Sequence, residues 1–181
     1  MNNTIDFNGT PLRLVPHFPD NGYRFYVAND GLIDGVMQGL RIAPNGVQTL
    51  VNASPKTTEN STTHYNAIRK QQYWHFANAF GHHKDILVSH AVYRAWVGSF
   101  DPDKNIDHLD GITTHNHYTN LEPVSIPENN RRASILRAMR KTGLDPTTYT
   151  ADQLRAIFRK HDVPPATTVL PDCTPEPLRD I

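Results

Sequence analysis

The sequence predicts an α+β fold, with an N-terminal region of β-hairpins, a compact central unit of two strands and a helix, and short C-terminal helices before an extended tail. Three observations lead there. From Met1 to Gln48 short apolar runs (LRLV, GYRFYV, LIDGVMQGLRI) are punctuated by Gly, Pro and Asn, the pattern of strands joined by turns. Apolar residues recur at helical spacing around Val92–Trp96, Ile135–Met139 and Leu154–Phe158. With 181 residues at 38% hydrophobic content, the chain can bury one real core with extensions, or two very small modules.

Each segment has its own local reason. Tyr23–Ile33 (YRFYVANDGLI) reads as strand, turn and strand. Residues 53–63 (ASPKTTENSTT) are polar and poor in apolar side chains, as expected of a surface loop or the tip of a long hairpin. Two strands around a Gly-His-His turn follow, at Gln72–Phe80 and Ile86–Val88, with Tyr73, Trp74, Phe76 and Phe80 read as core. Ser89–Gly98 then predicts a short helix with Ser89 as N-cap and Gly98 at its stop. His90 sits at that helix start, either packed or facing a site.

The most informative stretch runs from Asn105 to Arg132. Asn105–Leu109 reads as a strand entering a turn at Asp110-Gly111, and Leu121–Val124 as its returning partner. Adjacent strand residues point to opposite faces, so Asp107 and His108 share one simple site only if the strand bends or ends there. Ser125-Ile126-Pro127-Glu128 fits a capping box with proline in the first helical turn, which places Asn129 near the hairpin mouth. The helix should continue to about Lys141 and stop at Gly143. A second capping box, Thr150 to Gln153, opens a helix whose buried face is Leu154, Ile157 and Phe158 and which ends before Pro164-Pro165. The proline-rich remainder from Pro165 should be extended or disordered.

Asn120 lies twelve residues after His108, and Asn129 nine after Asn120. This arrangement of IDHLDG, THNHYTNL and SIPENNRR resembles the HNH nuclease motif in its H-N-N form, and more closely the small HNH homing endonucleases of phage and introns. The resemblance implies a ββα-metal unit that hydrolyses DNA phosphodiester bonds, leaving 5′-phosphate and 3′-hydroxyl ends. It implies Asp107 and Asn129 as ligands of one metal, His108 as general base, and Asn120 as the residue that fixes the loop and the orientation of His108. An Asp carboxylate with an Asn carbonyl is an oxygen-only pair, which prefers Mg²⁺ or Mn²⁺ over Zn²⁺. His115 and His117 either add nitrogen ligands or belong to a solvated connection. Pro123 departs from relatives that carry a large side chain there, and limits its strand to an edge or a bend. Tyr23–Ile33 resembles the strand-turn-strand motif that precedes the HNH part in modular homing endonucleases, although Ala28 stands where serine is usual. It is read either as a DNA-contacting module or as a plain hairpin.

The division expected is a β-rich accessory region over residues 1–88, the nuclease unit over 89–142, a helical extension over 143–164 and the tail over 165–181. Basic and acidic residues balance at 18 each, so the overall charge does not mark a general polyanion binder. Yet Arg131, Arg132, Arg137, Arg140, Lys141, Arg155, Arg159 and Lys160 cluster after the motif against only Asp145 and Asp152. All of these but Lys160 are the candidate contacts to double-stranded DNA; the alternative is that the helices merely brace the nuclease unit. Cys173 is the one cysteine, which excludes an internal disulfide and a thiolate-rich zinc cluster. No targeting segment or membrane span is expected, and the protein should be soluble and cytoplasmic, a monomer or a weak dimer on DNA. Two rivals stand beside the homing nuclease: a catalytically silent, sequence-specific DNA-binding protein, and an HNH enzyme of defence, restriction or packaging.

Overall fold

The computed structural model describes residues 3–16, 22–58, 69–77 and 83–160, and within them the fold is α+β. An antiparallel sheet comes first, built from β1 (Thr4–Phe7), β2 (Thr10–Leu14), β3 (Arg24–Val27), β4 (Leu32–Ile33), β5 (Val36–Ile42) and β6 (Gln48–Asn52). Two of its hairpins turn on Asn8-Gly9 and Asp34-Gly35, all four residues having positive φ. That is the turn whose twist matches the flanking strands, and Asn or Asp followed by Gly is the sequence that reaches it most easily. The Tyr23–Ile33 segment is therefore not a hairpin of its own. β3 pairs with β5 (Arg24 opposite Ile42), and β4 pairs with the start of β5 (Ile33 opposite Val36).

A second sheet orders β7 (Ser54–Thr58), β8 (Arg69–Ala77) and β9 (His83–Leu87) side by side and antiparallel. Ser54–Thr58 is thus strand rather than loop, in keeping with the long-hairpin alternative. Residues 59–68, the Gly-His turn, Phe80 and everything after Lys160, including the tail, lie outside the described residues. Helix α1 (Val88–Trp96) starts two residues earlier than Ser89 as N-cap suggested, with Leu87 at the N-cap and no side-chain cap. Ser89 is instead buried in the first turn. Gly98, at φ 143°, ends the helix as its sequence position suggested.

The rest of the described chain forms hairpin β10 (Asn105–His108) and β11 (Leu121–Val124), then α2 (Ile126–Lys141) and α3 (Ala151–Lys160). Ser125 caps α2 by accepting from the Glu128 amide at 3.4 Å, but the Glu128 carboxylate turns to arginines instead of reaching back. Gly143 at φ 80° closes α2, with Gly143 N–H donating to Arg140 and Leu144 N–H to Met139, which satisfies two of the helix's last carbonyls. At α3 the box is complete in both directions: Thr150 N–H donates to Gln153 Oε1, and Gln153 N–H to Thr150 Oγ1. Among the described residues no helix is long and apolar enough to cross a membrane.

Apolar residues gather in three clusters, of which the first and third hold the hairpin. Phe25, Val27, Trp74, Val92, Ile106 and Leu121 belong to the largest, which joins the first sheet, β8, α1 and one face of β10–β11. Tyr26 and Leu40 belong to a second, on the opposite face of the first sheet. Leu109, Leu136, Met139, Leu154 and Phe158 form the third, between the hairpin and the two C-terminal helices. The aromatics of β8 are core, as their composition indicated: Trp74 and Phe76 each meet Phe25 edge to face, with centroids 5.1 and 4.9 Å apart.

Gly39 of β5 makes this packing possible, because a Cβ there would stand 2.1 Å from the Phe25 ring. Gly39→Ala should therefore displace Phe25 and destabilise the protein by about 1–3 kcal/mol, the usual range for overpacking a filled core. Urea denaturation measures it, and an unchanged midpoint would show that the ring has room to move.

Candidate active site

The site begins with a two-residue period. Ile106 and His108 face the main core, while Asp107 and Leu109 face α2, since Ile106 belongs to the first cluster and Leu109 to the third. No bend brings Asp107 and His108 onto one face. Strand pairing sets Asp107 opposite Glu122 and His108 opposite Leu121.

On the α2 side, Asp107 is largely buried, and its Oδ2 has no hydrogen-bond partner among the described residues. Arg132 Nη1 stands 3.7 Å from that oxygen and 2.7 Å from Glu122 Oε2, while Arg132 Nε donates to Glu128. The guanidinium also lies over the Phe158 ring at 4.8 Å. Burial raises Asp107 to about 6, with the Arg132 charge opposing. Hydrogen bonds from Arg131 and Arg132 lower Glu128 to about 2. A buried carboxylate oxygen without a donor, among oxygen-bearing side chains, fits a hard divalent cation. Among the described residues, no group of three or more His, Cys, Asp or Glu stands ready to hold a metal, so Asp107 would need amide, water or phosphate oxygens to complete a shell. Asn129 lies half-buried one turn into α2; its backbone N–H donates to Ser125 O at 2.9 Å.

The other face carries a polar clasp. Asn120 Nδ2 donates to Asp110 Oδ1 (3.1 Å) and to the His115 carbonyl (2.8 Å), and Asn120 Oδ1 accepts from Asp110 N–H (3.2 Å). Asp110 Oδ1 also accepts from Ile112 N–H, and its Oδ2 pairs with His115 Nδ1 at 2.7 Å. The loop from Leu109 to Tyr118 is pinned at both ends as a result. Inside it, Asn116 is buried, with its Oδ1 3.0 Å from His108 Nε2. Burial lowers the His108 pKa, with the Asn116 hydrogen bond and the Asp110 charge opposing. Burial thus favours the neutral form of the ring.

No protein-family model and no curated protein matches the chain. A solved structure does. It is described as "DNA binding and cleavage by the HNH homing endonuclease I-HmuI", shares 14% sequence identity at a TM-score of 0.40, and is matched over 82% of this chain and 66% of its own.

The sequence-predicted residues are distributed as follows. His108 and Asn120 flank one loop but do not touch: Asn120 holds the loop, and Asn116 meets the imidazole. Asn116 was hidden in a stretch whose composition reads as solvated, and only its burial distinguishes it from Asn105 or Asn130. His90 packs edge to face on Phe100 at 5.2 Å and is lowered to about 4 by burial, with Arg94 and His108 adding to the shift. His115 pairs with Asp110, and His117 Nε2 lies 3.2 Å from the Asn29 amide.

Several arginines expected at DNA are engaged within the protein. Arg132 is buried among carboxylates. Arg131 chelates Glu128 and donates to the Phe158 carbonyl at 3.1 Å. Arg140 donates to the Asp110 carbonyl at 2.9 Å, and Arg155 pairs with Asp152 at 3.0 Å and donates to Thr119 O. Arg137 is exposed and bonds only within its own helix, while Lys141, Arg159 and Lys160 are exposed without a recorded ion pair among the described residues.

Asp107 yields a pH prediction. Its folded value, about 6, lies above its ordinary 3.8, so the folded state holds the proton more tightly. The stability it contributes is complete below its unfolded value and is lost as pH rises through its folded one. Glu128 stays ionised throughout that window. Asp107→Asn should abolish this loss and raise metal-free stability at neutral pH by roughly 1–3 kcal/mol. Denaturation as a function of pH in chelator tests it, and a variant less stable than wild type at neutral pH would mean that Arg132 already neutralises the carboxylate.

Proposed function

We propose that this protein is a divalent-metal-dependent HNH endonuclease that hydrolyses DNA phosphodiester bonds. The observation that carries the reading is the pairing, on adjacent residues of one strand, of a buried carboxylate whose Oδ2 has no hydrogen-bond donor among the described residues with a buried imidazole that burial pushes toward its neutral form. Asp107 lies on the strand face turned toward α2, the helix that carries Asn129. Structural reasons alone do not account for leaving Asp107 Oδ2 unsatisfied next to the fold's best-placed arginine.

The chemistry divides between the two faces of β10. His108 takes the proton of the attacking water, for which burial keeps it in the base form. Asp107 and Asn129 would hold Mg²⁺ or Mn²⁺, which stabilises charge on the phosphate and on the departing 3′ oxygen when bound. Asn120 keeps the loop closed around His108. Because Asp107 and His108 face opposite sides, a scissile phosphate served by both would have to reach around the end of β10. Within the basic cluster after the motif, Arg137, Lys141, Arg159 and Lys160 are the exposed cations left for the DNA backbone, and homing-type cleavage of double-stranded DNA is the role we assign.

One observation favours a second reading, a DNA-binding protein that does not cut. Arg132 already places positive charge 3.7 Å from Asp107 Oδ2. Incubating supercoiled plasmid with the protein and Mg²⁺ separates the two, since nicked or linear product is expected of the nuclease alone.

His108→Ala should reduce cleavage by about 10² to 10⁴-fold while DNA binding persists. Near-wild-type cleavage would remove His108 from the base role. The wild-type rate should rise with pH through a value below the ordinary histidine 6.5, because the base form is required and burial lowers it. Mg²⁺ or Mn²⁺ should support the reaction and Zn²⁺ should do so poorly.

A separate measurement locates the DNA grip. Replacing Arg137, Lys141, Arg159 and Lys160 with Gln should weaken binding and flatten its salt dependence by about 0.9 per lost phosphate contact on the log–log slope. An unchanged slope would assign the grip to another surface.

A further inference from the structure

Asn116 is buried at 2% exposure, more deeply than Ser89, Asp110, His108 or Arg132, and it belongs to the loop rather than to a helix or strand. A side-chain amide sunk this far must satisfy both its ends. Its Nδ2 faces two groups, the Thr114 carbonyl at 3.3 Å and the Met37 sulfur at 3.6 Å. Both are acceptors only. The amide nitrogen therefore belongs on that side, and the flipped orientation would set its oxygen against a carbonyl. Oδ1 must then be the atom 3.0 Å from His108 Nε2.

An amide oxygen cannot donate. His108 Nε2 has to carry the proton for this contact to be a hydrogen bond, and in a neutral imidazole the lone pair then resides on Nδ1. Nδ1 has no hydrogen bond among the described residues. The asymmetry has a further anchor, since Met37 belongs to β5, so the first sheet holds the amide in its orientation from across the fold.

Resting on the nuclease reading above, we propose that Asn116 is a positioning residue for His108: it selects the Nε2–H tautomer and leaves Nδ1 as the atom that accepts the proton of the attacking water. Asn120 acts one step further out, closing the loop that delivers Asn116.

The tautomer is directly measurable by long-range ¹H–¹⁵N correlation spectra of protein labelled at histidine, with the His108 signals assigned by their loss in His108→Gln. Wild type should show protonated Nε2 and unprotonated Nδ1. The opposite tautomer, or an even mixture, would overturn the proposal without any variant having to fold. Asn116→Leu removes the acceptor and should release His108 into a mixture, whereas Asn116→Asp keeps an acceptor and should retain the Nε2–H form. A Leu variant with the wild-type tautomer would also overturn it. On plasmid DNA with Mg²⁺, Asn116→Leu should lower kcat roughly 10- to 100-fold, the range for residues that orient a functional group, with KM for DNA unchanged. A rise in KM at unchanged kcat would make Asn116 a DNA contact instead. Should wild type fail to cut DNA, the nuclease reading falls, and the spectra still decide whether Asn116 sets the tautomer.

Discussion

The two-residue period of β10 is the constraint on which the rest of the structure depends. Ile106 inserts into the core shared with the N-terminal sheet, and Leu109 anchors the core shared with α2 and α3. Slipping the register by one residue would turn both apolar side chains to the wrong partner, so the pairing with β11 is strongly specified. The same alternation sends His108 one way and Asp107 the other. A hairpin that is a wall between two cores therefore presents its two chemical groups on opposite sides of a single strand.

Burying those groups creates obligations that polar side chains meet unequally. On the His108 side, Asn116, Asn120, Asp110 and His115 form a network in which most donors find acceptors, and such networks hold a loop in one arrangement. Across the strand the balance is incomplete. Arg132 serves Glu122 and Glu128 at close range and leaves Asp107 Oδ2 at a longer one. The unmet demand is local, and it coincides with the residue proposed to hold an ion.

Charge on the C-terminal helices divides by the same logic. An arginine beside a buried carboxylate is worth more inside the fold than at the surface, because its partner would otherwise be left unpaired in a poorly solvated place. Arg131 and Arg132 follow Glu128 at helical spacing and are drawn inward, and Arg132 gains the Phe158 face as well. Basic residues with no such neighbour, such as Arg137 and Arg159, stay at the solvent. Clustering of cations along a sequence thus overstates the cationic surface they make.

Much of this was legible in the sequence because it depends on near neighbours. Asn8-Gly9 and Asp34-Gly35 determine their turns locally, Ser125 and Thr150 cap the helices that follow them, and Gly143 ends α2 through its own backbone freedom. The Asp110-Gly111 turn likewise marks where β10 ends. Ser89 misled, because Leu87 already closes β9 against β8 and the chain turns into α1 before the serine is reached. The partners of each functional side chain were decided only by the tertiary structure: Asn116 for His108, Met37 for Asn116, Phe158 for Arg132. These contacts join residues far apart in the chain, and whether an asparagine is solvated or buried depends on what packs over it, which local sequence does not encode.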